Sequence, residues 1–321
     1  MGALVCPICR GELTAAGPAL RCAAGHSYDV ARSGYVNLLR PGIKSNARSG
    51  DPEDMVKARR AFLSRGYYDR WVREAAAAAG RALGEPPATL VDAACGEGRH
   101  TLTLAGALCP ALTVGVDASK GAADLAQKAA NAARREAAGR AENGAGDCGA
   151  GDCRAENGAG NCGRGNGGSG NGAGDLGEAR KIGEVRFVAG NIFDMPLADG
   201  CADLVTVLFA PIPFDEARRV LRGGGLLAVC SAGREHLVEL RRAVYDKVRY
   251  KDDEIAVPDG FELAARENVT YSVDLCGEAL AELFAMTPFC RRVGQAARER
   301  IAASNGSPMT VSVDITVLKK L

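Results

Sequence analysis

From about residue 85 onward, short apolar runs alternate with stretches in which apolar positions recur every three or four residues. That alternation predicts an α/β fold, a doubly wound parallel sheet with helices on both faces. Strands are expected at 89–92, 113–117, 185–189, 204–209 and 226–230, with helices over 101–108 and 120–138. Further on, the pattern predicts a helix from about 237 through Tyr250, a strand at 267–274 and a helix at 277–286. The alternating segment 309–318 reads as a closing antiparallel strand. Upstream, Asp51-Pro52-Glu53-Asp54 opens a helix with Met55, Ala58, Ala61 and Phe62 at helical spacing. A second, alanine-rich helix over 67–83 ends near Gly84, ahead of Pro86-Pro87.

One tract breaks the pattern. Between the second helix and the third strand of the main domain, about 139–177, the chain is glycine-rich and repeats itself: Arg140 to Gly149 recurs as Arg154 to Gly163, with Asn161 in place of Asp147. Such a tract cannot bury enough apolar surface to order itself, so it is expected to be a disordered insertion. A helix-to-strand loop leaves a doubly wound sheet at the end opposite the ligand crevice, so the insertion can vary without touching the chemistry.

The first 28 residues follow a different logic. Cys6-Pro7-Ile8-Cys9 and Cys22-Ala23-Ala24-Gly25-His26, separated by twelve residues, supply four ligands of the type and spacing of a structural zinc site. Gly11 and Gly25 are expected where the knuckles need permissive backbone. So short a segment has little core of its own, and Zn2+ bound by Cys6, Cys9, Cys22 and His26 would stabilise it. Four protein ligands leave no open position for catalysis. The twelve cysteines of the chain are therefore read as reduced thiols and metal ligands rather than a disulfide scaffold.

Net charge is +1, but residues 30–73 carry ten Lys or Arg against four acids, which is either a phosphate-facing surface or a solvated helix face. No apolar run approaches the ~18 residues of a membrane span, so no membrane partner and a cytoplasmic location are expected.

Candidate chemistry centres on Leu90-Val91-Asp92-Ala93-Ala94-Cys95-Gly96-Glu97-Gly98-Arg99-His100, a strand that turns through small residues into a helix. Alone, this supports only a nucleotide-like ligand at a helix start. Asp92 ends the strand, Asp117 ends the next, about twenty residues past the glycines, and Gly190-Asn191-Ile192-Phe193-Asp194-Met195-Pro196-Leu197 follows the third. An acid at 117 can accept both ribose hydroxyls, and a polar side chain at 191 can read an adenine amino group. Together they point to S-adenosylmethionine. The absence of a glycine-rich loop ending in Lys-Ser or Lys-Thr disfavours a nucleotide hydrolase.

At these residues the chain resembles the bacterial 23S rRNA (guanine-N1)-methyltransferases, whose members include a housekeeping enzyme and macrolide-resistance determinants. The resemblance rests on the Cys6, Cys9, Cys22, His26 module, Gly34-Tyr35-Val36-Asn37-Leu38-Leu39, Lys57-Ala58-Arg59-Arg60-Ala61-Phe62-Leu63, the loop from Asp92 to Gly98, Phe209-Ala210-Pro211, Arg234-Glu235-His236-Leu237 and Met286-Thr287-Pro288-Phe289. It implies a Rossmann-like class I methyltransferase sheet with a small N-terminal zinc-binding module. The corresponding division is a zinc module over 1–38 that helps recognise RNA, a basic helical link over 39–84 and a methyltransferase domain over 85–321.

By the same resemblance Asp92, Cys95, Gly96, Glu97, Gly98, His100, Asp117 and Asn191 would hold the cofactor. Phe209, Ala210, Pro211 and His236 would rim the substrate pocket, 23S rRNA would be the partner, and the protein would form a homodimer. Ala94 stands where such enzymes usually carry glycine, which predicts tighter backbone geometry. No residue stands out as the acceptor of the guanine N1 proton. A small-molecule methyltransferase whose zinc knuckle serves protein contacts, or a non-catalytic RNA-binding relative, are the alternatives.

Overall fold

The computed structural model describes residues 3–40, 53–143, 183–245, 247–248, 250, 254–275, 277–291, 293–303 and 308–321. The repeat-bearing part of the glycine-rich tract, from 144 on, with Cys148, Cys153 and Cys162, lies outside the described residues, as does the link over 41–52.

The chain begins with a small antiparallel sheet of β1 (Thr14–Ala16), β2 (Ala19–Arg21) and β3 (Ser27–Asp29). Next comes β4 (Val36–Asn37), then helices α1 (Glu53–Ser64) and α2 (Asp69–Leu83). The main domain runs β5 (Thr89–Ala93), α3 (Arg99–Leu108), β6 (Leu112–Asp117), α4 (Lys120–Asn143), β7 (Glu184–Ala189), β8 (Ala202–Leu208), α5 (Phe214–Val220) and β9 (Leu221–Ala232). It ends with α6 (Val238–Val244), β10 (Phe261–Asp274), α7 (Gly277–Met286), α8 (Gln295–Ala303) and β11 (Pro308–Lys320).

The large sheet has the order β10-β11-β9-β8-β5-β6-β7-β4, parallel from β4 to β9, with β11 antiparallel to both neighbours. The chain enters at β5, steps through β6 and β7 on one side, then returns to β8 and β9 on the other. That reversal opens a crevice at the carboxyl ends of β5, β6 and β8. Because side chains alternate across a strand, Leu90 and Val91 of β5 enter two different cores, as do Leu204 and Val205 of β8. Burial on both faces explains why these strands read as unbroken apolar runs.

The five expected parallel strands, β5 to β9, and the closing antiparallel strand lie where the alternation places them. Four features differ. β4, inside the Gly34 to Leu39 motif, joins the large sheet as an edge beside β7, a pairing no local pattern announces. The helix expected through Tyr250 stops at Val244, where Tyr245 turns extended and packs its ring edge-on against Phe289, 5.8 Å away. β10 begins at Phe261, earlier than expected, because β11 supplies hydrogen-bonding partners along its whole length. The helices α5 and α8 are additional elements that the pattern did not reveal.

The N-terminal ribbon docks on one face of the domain. Its Leu4, Cys6, Leu13 and Leu20 share a core with Val91, Val114, Met195 and Val205. Val5 N–H donates to Pro196 O at 2.9 Å, and Ala198 N–H donates to Ala3 O at 2.9 Å. Arg10 donates from Nη1 to Met195 O at 2.9 Å and pairs with Asp194, which Arg40 also reaches at 3.0 Å. The ribbon is therefore pinned to the segment that follows β7. Among the described residues, no helix is long and apolar enough to cross a membrane.

Candidate active site and zinc-binding ribbon

The ribbon brings its four predicted ligands together. Cys6 Sγ lies 3.5 Å from His26 Nδ1, Cys22 Sγ lies 3.4 Å from the same nitrogen, and Cys9 Sγ is 3.6 Å from Cys22 Sγ. All four ligand atoms fall within 4.8 Å of one another. A tetrahedron with Zn–S of about 2.3 Å and Zn–N of about 2.0 Å has S···S edges near ~3.8 Å and S···N edges near ~3.5 Å. The set fits zinc. Burial works against ionising Cys6, but the Tyr28 hydroxyl at 3.1 Å and the backbone N–H groups of the knuckle outweigh it and lower the thiol to about 6. A thiolate ready at neutral pH suits a metal ligand. Of the two glycines expected to ease the turns, Gly25 has the left-handed φ of 85°; at the first knuckle it is Arg10, at 60°, and not Gly11 that does so.

The second site lies at the crevice. Ala94 takes φ 64°, Gly96 54° and Gly98 82°, so the loop after β5 turns through left-handed backbone at three positions. A Cβ at Gly98 would meet Ala126 Cβ at 2.7 Å and Phe187 Cζ at 2.8 Å, whereas one at Gly96 would meet nothing within 4 Å. Gly98 thus lets α3 start against α4 and β7, while Gly96 borders open space where a ligand can approach backbone. Asp117 accepts N–H groups from Gly96 at 2.9 Å and Ser119 at 2.8 Å, one on each oxygen. A carboxylate has about four acceptor positions, so an acid here can take ribose hydroxyls as well as backbone N–H groups.

Asp92 is 1% exposed and accepts hydroxyl hydrogens from Thr101 and Thr206. Burial, with the nearby charges of Asp117 and Glu97 adding to it, lifts its carboxyl from 3.8 to about 6. Glu97 is also buried and raised, although Arg59 and Arg60 act in the opposite direction. Two buried acids, Asp92 and Glu97, with the half-buried Asp117 beside them, carry a cost that a cationic ligand relieves. S-adenosylmethionine brings a sulfonium and an ammonium, and the loop fits it on that ground.

The other expected cofactor residues are spread along this wall. Cys95 points into a small core with Leu102, Ala126 and Phe187, and its N–H goes to Val116 O, so it shapes the loop from beneath. Asn191 is exposed and its side-chain oxygen accepts the Phe193 N–H at 3.0 Å, which closes the turn after β7. Burial, with Arg59 and Arg99 behind it, pushes His100 down to about 3, and its buried Nδ1 has no hydrogen-bond partner among the described residues. His100 packs against Trp71 at 4.9 Å, in the wall rather than on the rim.

The rim itself is aromatic. Phe209, at φ 53° and 43% exposed, directly follows β8, with its ring 5.4 Å from Trp71 and 5.3 Å from His236. A left-handed non-glycine residue at the end of a central strand is the kind of strain that clusters at functional sites. Tyr68 closes the set, 6.1 Å from both Trp71 and His236. Tyr68 and Trp71 were not singled out from the sequence, since aromatic residues in an amphipathic helix read as core.

The basic stretch divides. Arg40 pairs with Asp194, Arg65 with Glu278 and Glu282, and Arg70 stacks on Tyr271 at 4.9 Å. Arg59 acts on both Glu97 and His100. Part of that charge therefore serves internal contacts and the ligand loop.

A switch-point crevice, an acid-lined glycine loop and a closing antiparallel strand are together what class I S-adenosylmethionine-dependent methyltransferases are built from, and this chain is one of that class, with a zinc ribbon added. A family model described as RlmA, N-terminal, a zinc ribbon, matches residues 4–44. A 23S rRNA (guanine(748)-N(1))-methyltransferase of Streptomyces fradiae is 32% identical, covering 99% of this chain and 97% of that protein. A protein of Micromonospora griseorubida, provisionally named a 23S rRNA (guanine-N(1)-)-methyltransferase, is 31% identical, covering 98% and 96%. Among solved structures, a geranyl diphosphate methyltransferase in complex with SAM aligns over 85% of this chain and 93% of its own, at 16% identity and a TM-score of 0.39. The chain belongs to the 23S rRNA (guanine-N1)-methyltransferase family.

Proposed function

We propose that this protein transfers a methyl group from S-adenosylmethionine to N1 of a guanine in 23S rRNA, with zinc holding its ribbon. The observation that carries this reading is the full-length likeness to a 23S rRNA (guanine-N1)-methyltransferase, ribbon and methyltransferase domain together. When bound, the cofactor supplies the electrophilic methyl group, and the protein's part is alignment and exclusion of competing geometry.

In this reading Asp92, Glu97, Gly96, Gly98, Asp117 and Asn191 hold the cofactor directly, and Cys95 and His100 form the wall behind it. Phe209, Ala210, Pro211 and His236 rim the pocket for a guanine that has left its stack or sits in a loop. The chain divides functionally into the ribbon over 1–38, the basic helical link over 39–84 and the catalytic domain over 85–321. A homodimer in the cytoplasm completes the proposal.

Labelled methyl from S-adenosylmethionine, offered with 23S rRNA lacking the modification, tests the assignment. Label in rRNA with a reverse-transcription stop at one guanine is expected, because N1 methylation blocks the pairing edge. Label confined to small acceptors would replace it with the small-molecule reading. Sedimentation of the purified protein as a monomer at working concentration would remove the dimer.

A further inference from the structure

The rim poses a chemical question. Guanine N1 carries a proton, and the lone pair that takes the methyl is available only once that proton has left. A histidine at the rim reads as the proton acceptor by residue type. The hydrogen bonds of His236 say otherwise.

The Ser312 backbone N–H points at His236 Nδ1 at 3.2 Å. A backbone N–H can only donate, so Nδ1 must carry the lone pair, and in the neutral ring the hydrogen sits on Nε2. Nε2 lies 3.4 Å from the Tyr68 hydroxyl, a long contact that fixes the ring while leaving the Nε2 hydrogen able to be shared with a second acceptor. Ser312 belongs to β11 and Tyr68 caps the start of α2, so the ring is held from two sides. The Phe209 ring, 43% exposed, stands 5.3 Å from it across the mouth. Among the described residues, Arg241 of α6 adds a positive charge that acts on His236.

We propose that His236 donates a hydrogen bond from Nε2–H to O6 of a guanine stacked on Phe209, with Tyr68 as the positioning residue that keeps this donor aimed. The inference rests on the guanine reading above. When N1 loses its proton, the negative charge is shared with O6, the atom next to it. A fixed, uncharged donor at O6 stabilises that anion, in the way donors of an oxyanion hole stabilise developing charge. The balance is simple. The N1 proton passes to solvent water, the freed electron pair forms the N1–carbon bond, and the carbon–sulfur pair stays with sulfur as S-adenosylhomocysteine leaves. Burial, with Arg241 adding to it, lowers His236 to about 4, so the ring is neutral throughout the working range and ready to donate. An O6 donor also gives specificity, because adenine presents an amino donor at the same position and would face hydrogen against hydrogen.

The test compares His236→Ala, His236→Gln and Tyr68→Phe on a 23S rRNA fragment that the wild type methylates, under single turnover from about pH 6.5 to 9.5. Loss of one such donor predicts a rate about a hundredfold to a thousandfold lower for His236→Ala at neutral pH. Its affinity for S-adenosylhomocysteine should be unchanged, which also reports folding. The deficit should shrink as rising pH ionises N1 without help. Glutamine donates through its amide but takes up no proton, so His236→Gln should recover most of the rate. Tyr68→Phe should cost about fivefold in the methyl-transfer rate without changing RNA affinity, the effect of one neutral hydrogen bond. A glutamine variant no better than alanine, or an alanine deficit constant across pH, would overturn the donor role. A wild type that leaves the fragment unmethylated would overturn the guanine reading instead.

Discussion

Replacing Asp92 by asparagine removes a charge that the fold carries at a cost. The carboxyl is 1% exposed, its two oxygens take hydroxyl hydrogens from Thr101 and Thr206, and burial raises it from 3.8 to about 6. A carboxyl whose folded pKa lies above its unfolded value costs nothing below the unfolded value. The cost grows as pH rises between the two and is complete above the folded value. With one pKa unit equal to about 1.4 kcal/mol, the cost is about 1.5 kcal/mol at pH 5 and about 3 kcal/mol at pH 7. Asparagine has nearly the same shape without the charge, and the threonine hydroxyls can rotate to accept its amide hydrogens.

The stability of Asp92→Asn minus that of the wild type should therefore rise by about 1.5 kcal/mol from pH 5 to 7. His100 and His236 act in the opposite sense. Their folded values are lowered from 6.5, so they contribute stability above about 6.5 that is lost as pH falls toward their folded values of about 3 and about 4. Both histidines are present in each protein, so the subtraction removes them. Urea unfolding of the cofactor-free enzyme at several pH values measures the difference. A difference that stays flat from pH 5 to 7 would refute the reasoning, because it would mean that Asp92 already titrates normally. The same variant should bind S-adenosylmethionine more weakly, since a buried carboxylate kept at such a cost is accounted for by a cationic ligand.

Gly98→Ala places a Cβ 2.7 Å from Ala126 Cβ at φ 82°, so thermal unfolding should reveal a loss of about 3 kcal/mol; an unchanged midpoint would show that α3 and α4 can part. Ala94→Gly relieves a left-handed alanine at φ 64° and should leave stability unchanged or raise it by up to about 1 kcal/mol, with S-adenosylhomocysteine affinity preserved in calorimetry. Arg10→Ala removes one of two arginine contacts to Asp194 and one of two to Met195 O, leaving those of Arg40 and Arg219, so S-adenosylhomocysteine should bind about fivefold more weakly while zinc content, measured by metal analysis, stays at one per chain. Loss of zinc instead would make Arg10 a support of the knuckle alone.

Much of the architecture was legible because its signals are local. A strand buried on both faces must be apolar throughout, so β5 to β9 announced themselves. The zinc site was legible because ligand spacing within one short segment defines it. Long-range pairings were not. β4 has two residues and exists because β7 offers an open edge. Arg10 and Arg40 meet Asp194 from more than 150 positions away, so their part in holding the segment beside Asn191 has no sequence signature.

The sequence by itself determined the kind of fold, the zinc ligands and the glycine-rich turn after β5, because periodicity, spacing and turn chemistry are properties of neighbouring residues. Ala94, read as a departure that tightens the backbone, is indeed left-handed at 64°. Only the tertiary structure decided how those parts act together. It set the buried Asp92 and Glu97 against Asp117 and gathered Tyr68, Trp71, Phe209 and His236 from three segments into one cluster. It also chose the hydrogen position on His236. That choice depends on a backbone N–H 76 positions along the chain, and folding alone brings the two together.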